Sequence, residues 1–199
     1  MTKEKKVFDG ISDRANQLLI GDENHHVDFK RSPKGVTSED MVAFANSEHG
    51  GTLLLGVDEE KDEIGRQTGQ IVGCEVSDDM KLLLTSRAFS CFPPVDISIY
   101  IENNATLPFY RVEIPSGKNK PYCTSGGTYK IRDDGRNKVL RPNELLTLFI
   151  HHESADFFKR FKEVSEYTHD PRHSEDMEKV KQEIAMLQKK VDEILGRLS

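Results

Sequence analysis

The stretch from Glu23 to Glu59 constrains the fold of this chain most strongly, because it encodes two strands around one helix. A brief strand is predicted at Val27–Lys30. Thr37 or Ser38 is placed to cap the helix that follows, since a hydroxyl at that position satisfies free backbone N–H groups. After a Gly-Gly turn, the run Thr52–Val57 is almost continuously apolar, which is typical of a central strand covered on both faces. The sequence therefore predicts a sheet with helices packed on it.

The rest of the first 150 residues carries helix and strand signals without a strict βαβ repeat. A helix is predicted at Asp9–Ile20, and Ser77 is placed to begin another. Two alternating runs, Val95–Ile101 and Leu107–Ile114, indicate a β-hairpin, and a third strand is predicted at Thr128–Arg132. This order favours an α+β fold in which a mixed β-sheet is packed with helices.

The C-terminal segment is predicted to be a separate coiled-coil helix. Its apolar residues recur at alternating spacings of three and four, which is the pattern of a heptad seam. The polar segment 165–174 contains Pro171 and is interpreted as a hinge. The predicted organisation is thus a globular domain at 9–164, a hinge at 165–174 and a helix at 175–199 that forms a homo-oligomer. An amphipathic helix folded back on the domain is the alternative. The seam residues are Met177, Val180, Ile184, Leu187, Val191, Ile194 and Leu198.

Composition narrows the class of protein. Hydrophobic residues make up 36% and charged residues 31% of the chain, and its longest apolar run is far shorter than the ~20 residues that span a bilayer. No apolar segment follows the charged N-terminus, so neither a secretory signal nor a membrane anchor is expected. The three cysteines are scattered without CxxC spacing, which argues against disulfides and a zinc ribbon. We therefore expect a cytoplasmic protein that does not associate with membranes.

Acidic residues near two strand ends form the candidate catalytic and metal-binding site. Glu23 and Asp28 lie around the first strand, and Asp58 and Glu59 follow the buried strand. Carboxylates in such positions suit Mg²⁺ or Mn²⁺, which prefer oxygen ligands and often bridge to substrate phosphates. Lys30 shares a strand face with Asp28 and could neutralise a phosphate. The alternative is that Asp28 and Lys30 form only an ion pair.

Basic residues concentrate between positions 118 and 141, although the formal net charge of the whole chain is −6. Such a local excess predicts a track for nucleic-acid phosphates, and the interleaved Tyr122 and Tyr129 could stack on bases. A solvated hairpin edge protected by charge is the alternative. The predicted nucleic-acid-binding residues are Lys118, Lys120, Tyr122, Lys130, Arg132, Arg136, Lys138 and Arg141.

Three segments between about Asp13 and Ile150 resemble the Schlafen AlbA-like domain family. ENHHVDFK is similar to that family's E-x4-E-F-K element, and AFANSEHGGTLLLGVDE is similar to its A-F-A-N-T-x-G-G-x-L-x-I-G-V-D-D element. KPY followed by YKIR resembles its later strand region. The resemblance implies the mixed α+β fold and nucleic-acid binding. In animal members, two such domains form a U-shaped cleft that cleaves transfer RNA or other structured RNA with three acids and a divalent metal.

Carried over position by position, the resemblance places the first two acids on Glu23 and Asp28, and the third within the Asp58-Glu59 pair, where Asp58 is favoured. The family's second acid is usually Glu, so Asp28 is a departure by one methylene. The resemblance implies a metal-dependent endoribonuclease that uses Mg or Mn and favours RNA over DNA. A non-catalytic oligomeric DNA- or RNA-binding regulator or adaptor is the alternative. Because this chain has one such domain, the heptad seam is expected to bring two copies together.

Overall fold

The structure of the protein is a computed structural model. It describes residues 6–20, 26–61, 67–133 and 135–150 and, near the C-terminus, residues 182, 185–187, 189–193 and 196. The chain divides into a first unit, Met1–Val139, and a second unit, Leu140–Ser199.

The first unit combines helices and strands. The helices are α1 (Asp13–Ile20), α2 (Ser38–Asn46) and α3 (Asp78–Phe89), with a 3-10 turn at Pro33–Gly35. The strands are β1 (Val27–Lys30), β2 (Gly51–Leu55), β3 (Val57–Lys61), β4 (Gln67–Ile71), β5 (Ser98–Glu102), β6 (Phe109–Ile114), β7 (Lys130–Asp133) and β8 (Arg136–Val139).

The first unit is built on a central four-stranded sheet with the strand order β1-β2-β6-β5, in which β1 and β2 are parallel and the other neighbours antiparallel. Two further hairpins, β3–β4 and β7–β8, form separate two-stranded sheets. The predicted α+β class, with a mixed sheet packed against helices, is confirmed.

Apolar clusters cover both faces of the central sheet. Leu54 packs with Phe29 and with the buried residues of α1, whereas Leu53 and Leu55 pack with residues of α2 and α3. This division follows from the alternation of side chains along a strand. All three leucines are fully buried, and each buried side chain of this size contributes roughly 1.5–3 kcal/mol. The prediction of a central strand covered on both faces is confirmed for β2.

Local sequence signals explain how α2 begins and how the chain leaves it. Thr37 caps the helix, because its Oγ1 accepts a hydrogen bond from Asp40 N–H while Asp40 Oδ2 accepts one from Thr37 N–H at 2.7 Å. After α2, the chain turns sharply into β2. A Cβ atom at Gly51 would overlap the Phe44 ring and approach the His26 carbonyl oxygen to 2.8 Å, so this close crossing requires glycine.

The predicted strand Thr52–Val57 ends earlier than expected, at Leu55. Gly56 has a φ of +98°, a conformation that favours glycine, and it redirects the chain out of the central sheet. The segment after Gly56 becomes β3, which pairs with β4. Asp58 therefore lies within a strand of a separate hairpin and not in a turn at the end of β2.

The predicted helix Asp9–Ile20 begins four residues later, at Asp13. The preceding residues instead bond to the turn between β5 and β6. Gly10 O accepts a hydrogen bond from Asn103 N–H, and the backbone N–H and hydroxyl of Ser12 both donate to the buried Glu102 carboxylate at 2.9 Å. These long-range bonds replace the first helical turn that the apolar pattern predicted.

The second unit is helical at residues 142–150, where Arg141 N–H donates to the Glu144 carboxylate at 2.7 Å. The described positions between 182 and 196 are also helical. The predicted hinge at 165–174 lies outside the described residues, as do residues 151–164 and most of the predicted seam. No helix in the described part of the chain combines the length and apolar character needed to cross a bilayer.

Candidate nucleic-acid interface

The β7–β8 hairpin divides the predicted basic strip between two faces. Side chains alternate along a strand, so Lys130 and Arg132 of β7 point to one face, and Arg136 and Lys138 of β8 point to the other. Lys130 Nζ lies 2.6 Å from Oε2 of Glu39 at the start of α2. We call the hairpin face that carries Lys130 and Arg132 the inner face, and the face that carries Arg136 and Lys138 the outer face. The cations of the inner face point toward acids of the same chain.

Arg132 is the most enclosed of these cations, because its side chain is only 3% exposed. Its Nη2 donates to the Val27 carbonyl at 3.0 Å and to Asp28 Oδ1 at 3.1 Å, and its Nη1 donates to Asn137 Oδ1 at 3.2 Å. The guanidinium also lies over the Phe44 ring, 5.2 Å from its centre. We predicted a phosphate contact for Arg132, but the structure places its guanidinium in an internal ion pair.

Asp28 is the centre of a buried polar group that we term the Asp28 cluster: Asp28, Lys30, Asp40, Arg132 and Asn137. Lys30 Nζ lies 2.9 Å from Asp28 Oδ2 and 3.5 Å from Asp40 Oδ1. The first of these contacts is close enough for an ion pair but lacks hydrogen-bond geometry, so Oδ2 accepts no hydrogen bond from the described residues. Asn137 Nδ2 donates to Asp40 Oδ1 at 2.7 Å. The cluster joins β1, α2 and the β7–β8 hairpin.

The two carboxylates of the cluster keep Lys30 protonated. Burial by itself lowers the pKa of Lys30, but the contact with Asp28 and the charges of Asp28 and Asp40 outweigh it, so the pKa is raised above its ordinary value near 10.5. A raised pKa means that the folded state binds this proton more tightly than the unfolded state. The resulting stabilisation is complete below the ordinary pKa and is lost as the pH rises through the raised value.

Asp58 is the other predicted catalytic acid that the structure describes. Asp58 forms an ion pair with Arg31, whose side chain is 75% exposed, and a pair of this kind stabilises by only about 0–1 kcal/mol. Glu23 lies outside the described residues. Within the ranges that the structure describes, no three His, Cys, Asp or Glu side chains group as a metal site. Of the predicted catalytic residues, the structure brings Asp28 and Lys30 into contact and pairs Asp58 with the residue next to Lys30.

Two further residues of the predicted strip are directed inward. The Tyr122 ring is buried in the core, against Gly117, and so it does not present a face on which a base could stack. Lys120 Nζ donates to the Ser47 carbonyl at 2.7 Å and to Ser116 Oγ at 2.8 Å. Burial lowers the pKa of Lys120, although the charge of Glu48 opposes the shift. Both side chains therefore make their contacts within the protein itself.

The remaining cations of the strip face solvent. Lys118, Arg136 and Lys138 are exposed, and Lys138 Nζ lies 3.8 Å from the carboxylate of Asp133. Arg141 is also exposed and belongs to the second unit. These residues are the cations of the predicted strip that a nucleic acid can reach.

Sequence reasoning missed Asp40 and Asn137 as members of the Asp28 cluster. Asp40 lies in the first turn of α2, where an acid completes the cap with Thr37, yet its Oδ1 also accepts a hydrogen bond from Asn137. The alternation of polar residues in β8 was the available signal. It indicates a strand with Asn137 on the face opposite Arg136 and Lys138.

The chain belongs to the family described as Schlafen, AlbA_2, whose model matches residues 23–141. This match spans β1 through β8, including the Asp28 cluster and both faces of the β7–β8 hairpin. The predicted family is therefore confirmed.

Two solved structures are similar to parts of the chain. The N-terminal domain of a putative ATP-dependent DNA helicase RecG-related protein from Nitrosomonas europaea is 27% identical, with a TM-score of 0.42, and the match covers 51% of this chain and 69% of that domain. The DIP2311 protein from Corynebacterium diphtheriae is 14% identical, with a TM-score of 0.44, and the match covers 72% of this chain but only 29% of that protein. Comparison with curated proteins finds no match.

Replacing Arg132 by Leu is expected to lower the free energy of unfolding by about 3 kcal/mol, because the buried Asp28 carboxylate loses a charged partner. The matched control is Arg136→Leu on the exposed face of the same hairpin, which should change stability by less than about 0.5 kcal/mol. Urea denaturation of both variants measures the difference. Equal stability of the two variants would show that Arg132 is not part of a buried ion pair.

Proposed function

We propose that the protein binds nucleic acid, with RNA favoured over DNA. Membership of the Schlafen, AlbA_2 family carries this proposal, because the resemblance to that family implies nucleic-acid binding. The exposed cations Lys118, Arg136 and Lys138 support it by offering charged groups to phosphates. Cations at a surface release the counterions condensed on a nucleic acid, which is the main source of sequence-independent affinity.

The acidity of the chain as a whole favours a localised interface. With a formal net charge of −6, the chain as a whole does not attract a polyanion, so binding depends on where cations are concentrated. Arg136 and Lys138 share one exposed face of the hairpin, where Lys138 lies 3.8 Å from the exposed Asp133 carboxylate. Lys130 and Arg132, on the other face, are more enclosed and pair with Glu39 and Asp28. We therefore assign the contact to the outer face of β8.

The double variant Arg136→Ala/Lys138→Ala is expected to weaken binding to single-stranded RNA. The slope of log Kd against log salt concentration should fall by about 1.4, since each phosphate contact with a single strand contributes about 0.7. Fluorescence anisotropy across a salt series measures both quantities. The control Lys6→Ala/Lys81→Ala removes the same charge elsewhere on the first unit. If both variants behave alike, the outer face of β8 is not the interface.

RNA cleavage by a metal-dependent endoribonuclease is the second candidate function. It is favoured by the enclosed Asp28 carboxylate, whose Oδ2 faces a cation in this structure, the Lys30 ammonium at 2.9 Å, and has the hard oxygen chemistry that Mg²⁺ and Mn²⁺ prefer. Glu23, Asp28 and Asp58 would hold Mg²⁺ or Mn²⁺, with Lys30 beside the phosphate. A bound ion of this kind polarises a phosphoryl oxygen. Lys30 now occupies the position next to Oδ2, so a cation must compete with its ammonium group.

Cleavage is tested by incubating the protein with total transfer RNA and Mn²⁺ or Mg²⁺. An enzyme of this kind should cut the RNA only with metal, and Asp28→Asn should abolish cutting, because an amide is a weaker ligand for a divalent cation than a carboxylate. Because Asp28 is also the charged partner of Arg132, urea denaturation of this variant establishes that it is folded under the conditions of the assay. Asp96→Asn, which changes an exposed acid outside the β7–β8 hairpin, serves as the control. RNA that is bound but left intact by the unchanged protein excludes the nuclease and leaves a non-catalytic regulator or adaptor.

We also propose that residues 175–199 join copies of the chain into a homo-oligomer. Leu187, a member of the predicted seam, is 54% exposed in the single chain, so the seam gains by burial against a second helix. Light scattering at micromolar concentration should show an oligomer for the full chain and a monomer for a chain ending at residue 174. A monomeric full chain would remove this proposal.

A further inference from the structure

A cavity of about 620 Å³ opens beside α1, at the end of the sheet where β1 and β2 begin. This volume is within the range of about 300–1,000 Å³ that is usual for small-molecule sites. Thr52 lies two residues from Leu54 in β2, so both side chains point to the face of the sheet that packs against α1. Asp28 is in register with Leu53 and points to the other face, so the cavity and the Asp28 cluster lie on opposite faces of the sheet. The residues that matter for its chemistry are Arg14, Leu18, His26, His49, Thr52 and Glu113.

Two imidazole rings form one wall of the cavity. The centres of the His26 and His49 rings are 5.3 Å apart, and the rings meet edge to face at 70°. His26 Nδ1 lies 3.3 Å from the Gly50 carbonyl oxygen, which orients that ring. Gly51 brings the chain close to the His26 carbonyl beside β1, and Gly50 brings it close to the end of β6. The motif that turns α2 into β2 therefore also brings the two histidines together. Imidazole and guanidinium groups both bind phosphate oxygens.

A cation and a carboxylate also line the cavity. Arg14 Nε lies 4.0 Å from Glu113 Oε1, and the Arg14 side chain is 57% exposed. The Glu113 carboxylate also pairs with the Arg111 guanidinium. A bare anion would be attracted by Arg14 but repelled by Glu113. A ligand with both an anionic group and hydroxyl or amino donors satisfies both side chains, because a carboxylate accepts hydrogen bonds.

We propose that this cavity binds a ribonucleotide. Its phosphate lies toward Arg14 and the two imidazoles, and its ribose hydroxyls donate to Glu113. The same chemistry is presented by a free nucleotide and by the terminal nucleotide of an RNA strand. The proposal does not rest on the contact assigned to the outer face of β8, since the cavity uses none of those residues.

The test is isothermal titration with the four ribonucleoside 5′-monophosphates, the matching deoxynucleotides, ribonucleosides and inorganic phosphate. At least one ribonucleotide should bind more tightly than its deoxynucleotide, its nucleoside and phosphate alone. Arg14→Ala and His49→Ala should each weaken that binding by about tenfold or more, the effect expected for losing a hydrogen bond to a charged group. The side chains of Arg14 and His49 are mostly exposed, so neither change should disturb folding.

Arg31→Ala is the control, because Arg31 is an exposed arginine that does not line the cavity and it should leave nucleotide affinity unchanged. Short RNAs with a 5′-phosphate or a 5′-hydroxyl separate the two sources of the ligand. Tighter binding of the phosphorylated RNA that is lost in Arg14→Ala assigns the cavity to a strand end, and nucleotide binding without that difference assigns it to free nucleotides. Absence of binding by every ribonucleotide together with equal affinity for the 5′-phosphorylated and 5′-hydroxyl RNAs, or affinity unchanged in Arg14→Ala and His49→Ala, overturns the proposal.

Discussion

The side-chain amide of Asn46 determines how the candidate interface is assembled. Asn46 is almost fully buried at the end of α2, where Nδ2 donates to the carbonyls of Tyr122 and Lys130 at 2.8 Å and Oδ1 accepts from Tyr122 N–H at 2.7 Å. These bonds fix the segment that leads into β7 against the helix. Each stabilises by only about 1 kcal/mol net, but leaving such buried groups unpaired costs about 1–3 kcal/mol. The position of Arg132 next to Asp28 follows from this attachment.

Features governed by neighbouring residues could be predicted from the sequence. The Thr37 cap depends on a residue three positions away, and the apolar run after Gly51 specifies a buried strand whatever its partners are. The β5–β6 hairpin also follows from two alternating runs and a short connection. In the candidate site, the shared strand face of Asp28 and Lys30 was predictable for the same reason, since it requires only the period of a strand.

Features that depend on contacts between distant segments could not be predicted. The sequence near Tyr122 contains lysines and glycines typical of an exposed loop, yet Asn46 draws that backbone into the core. Arg132 was grouped with the other cations of the strip because its charge is visible in the sequence, whereas its partner lies 104 residues away. Composition locates charge along the chain, but only the packing of β7 against α2 decides which cations remain available.

The Asp28 cluster also determines how the β7–β8 hairpin is aligned against β1 and α2. A shift of one residue along a strand exchanges its two faces. Such a shift would replace Arg132 opposite Asp28 either by Ile131, which leaves the carboxylate without a guanidinium, or by Asp133, which repels it. Both misaligned states are disfavoured even where apolar packing discriminates weakly between them. The buried charges thus select one alignment, and the outward direction of Arg136 and Lys138 is a consequence of that selection.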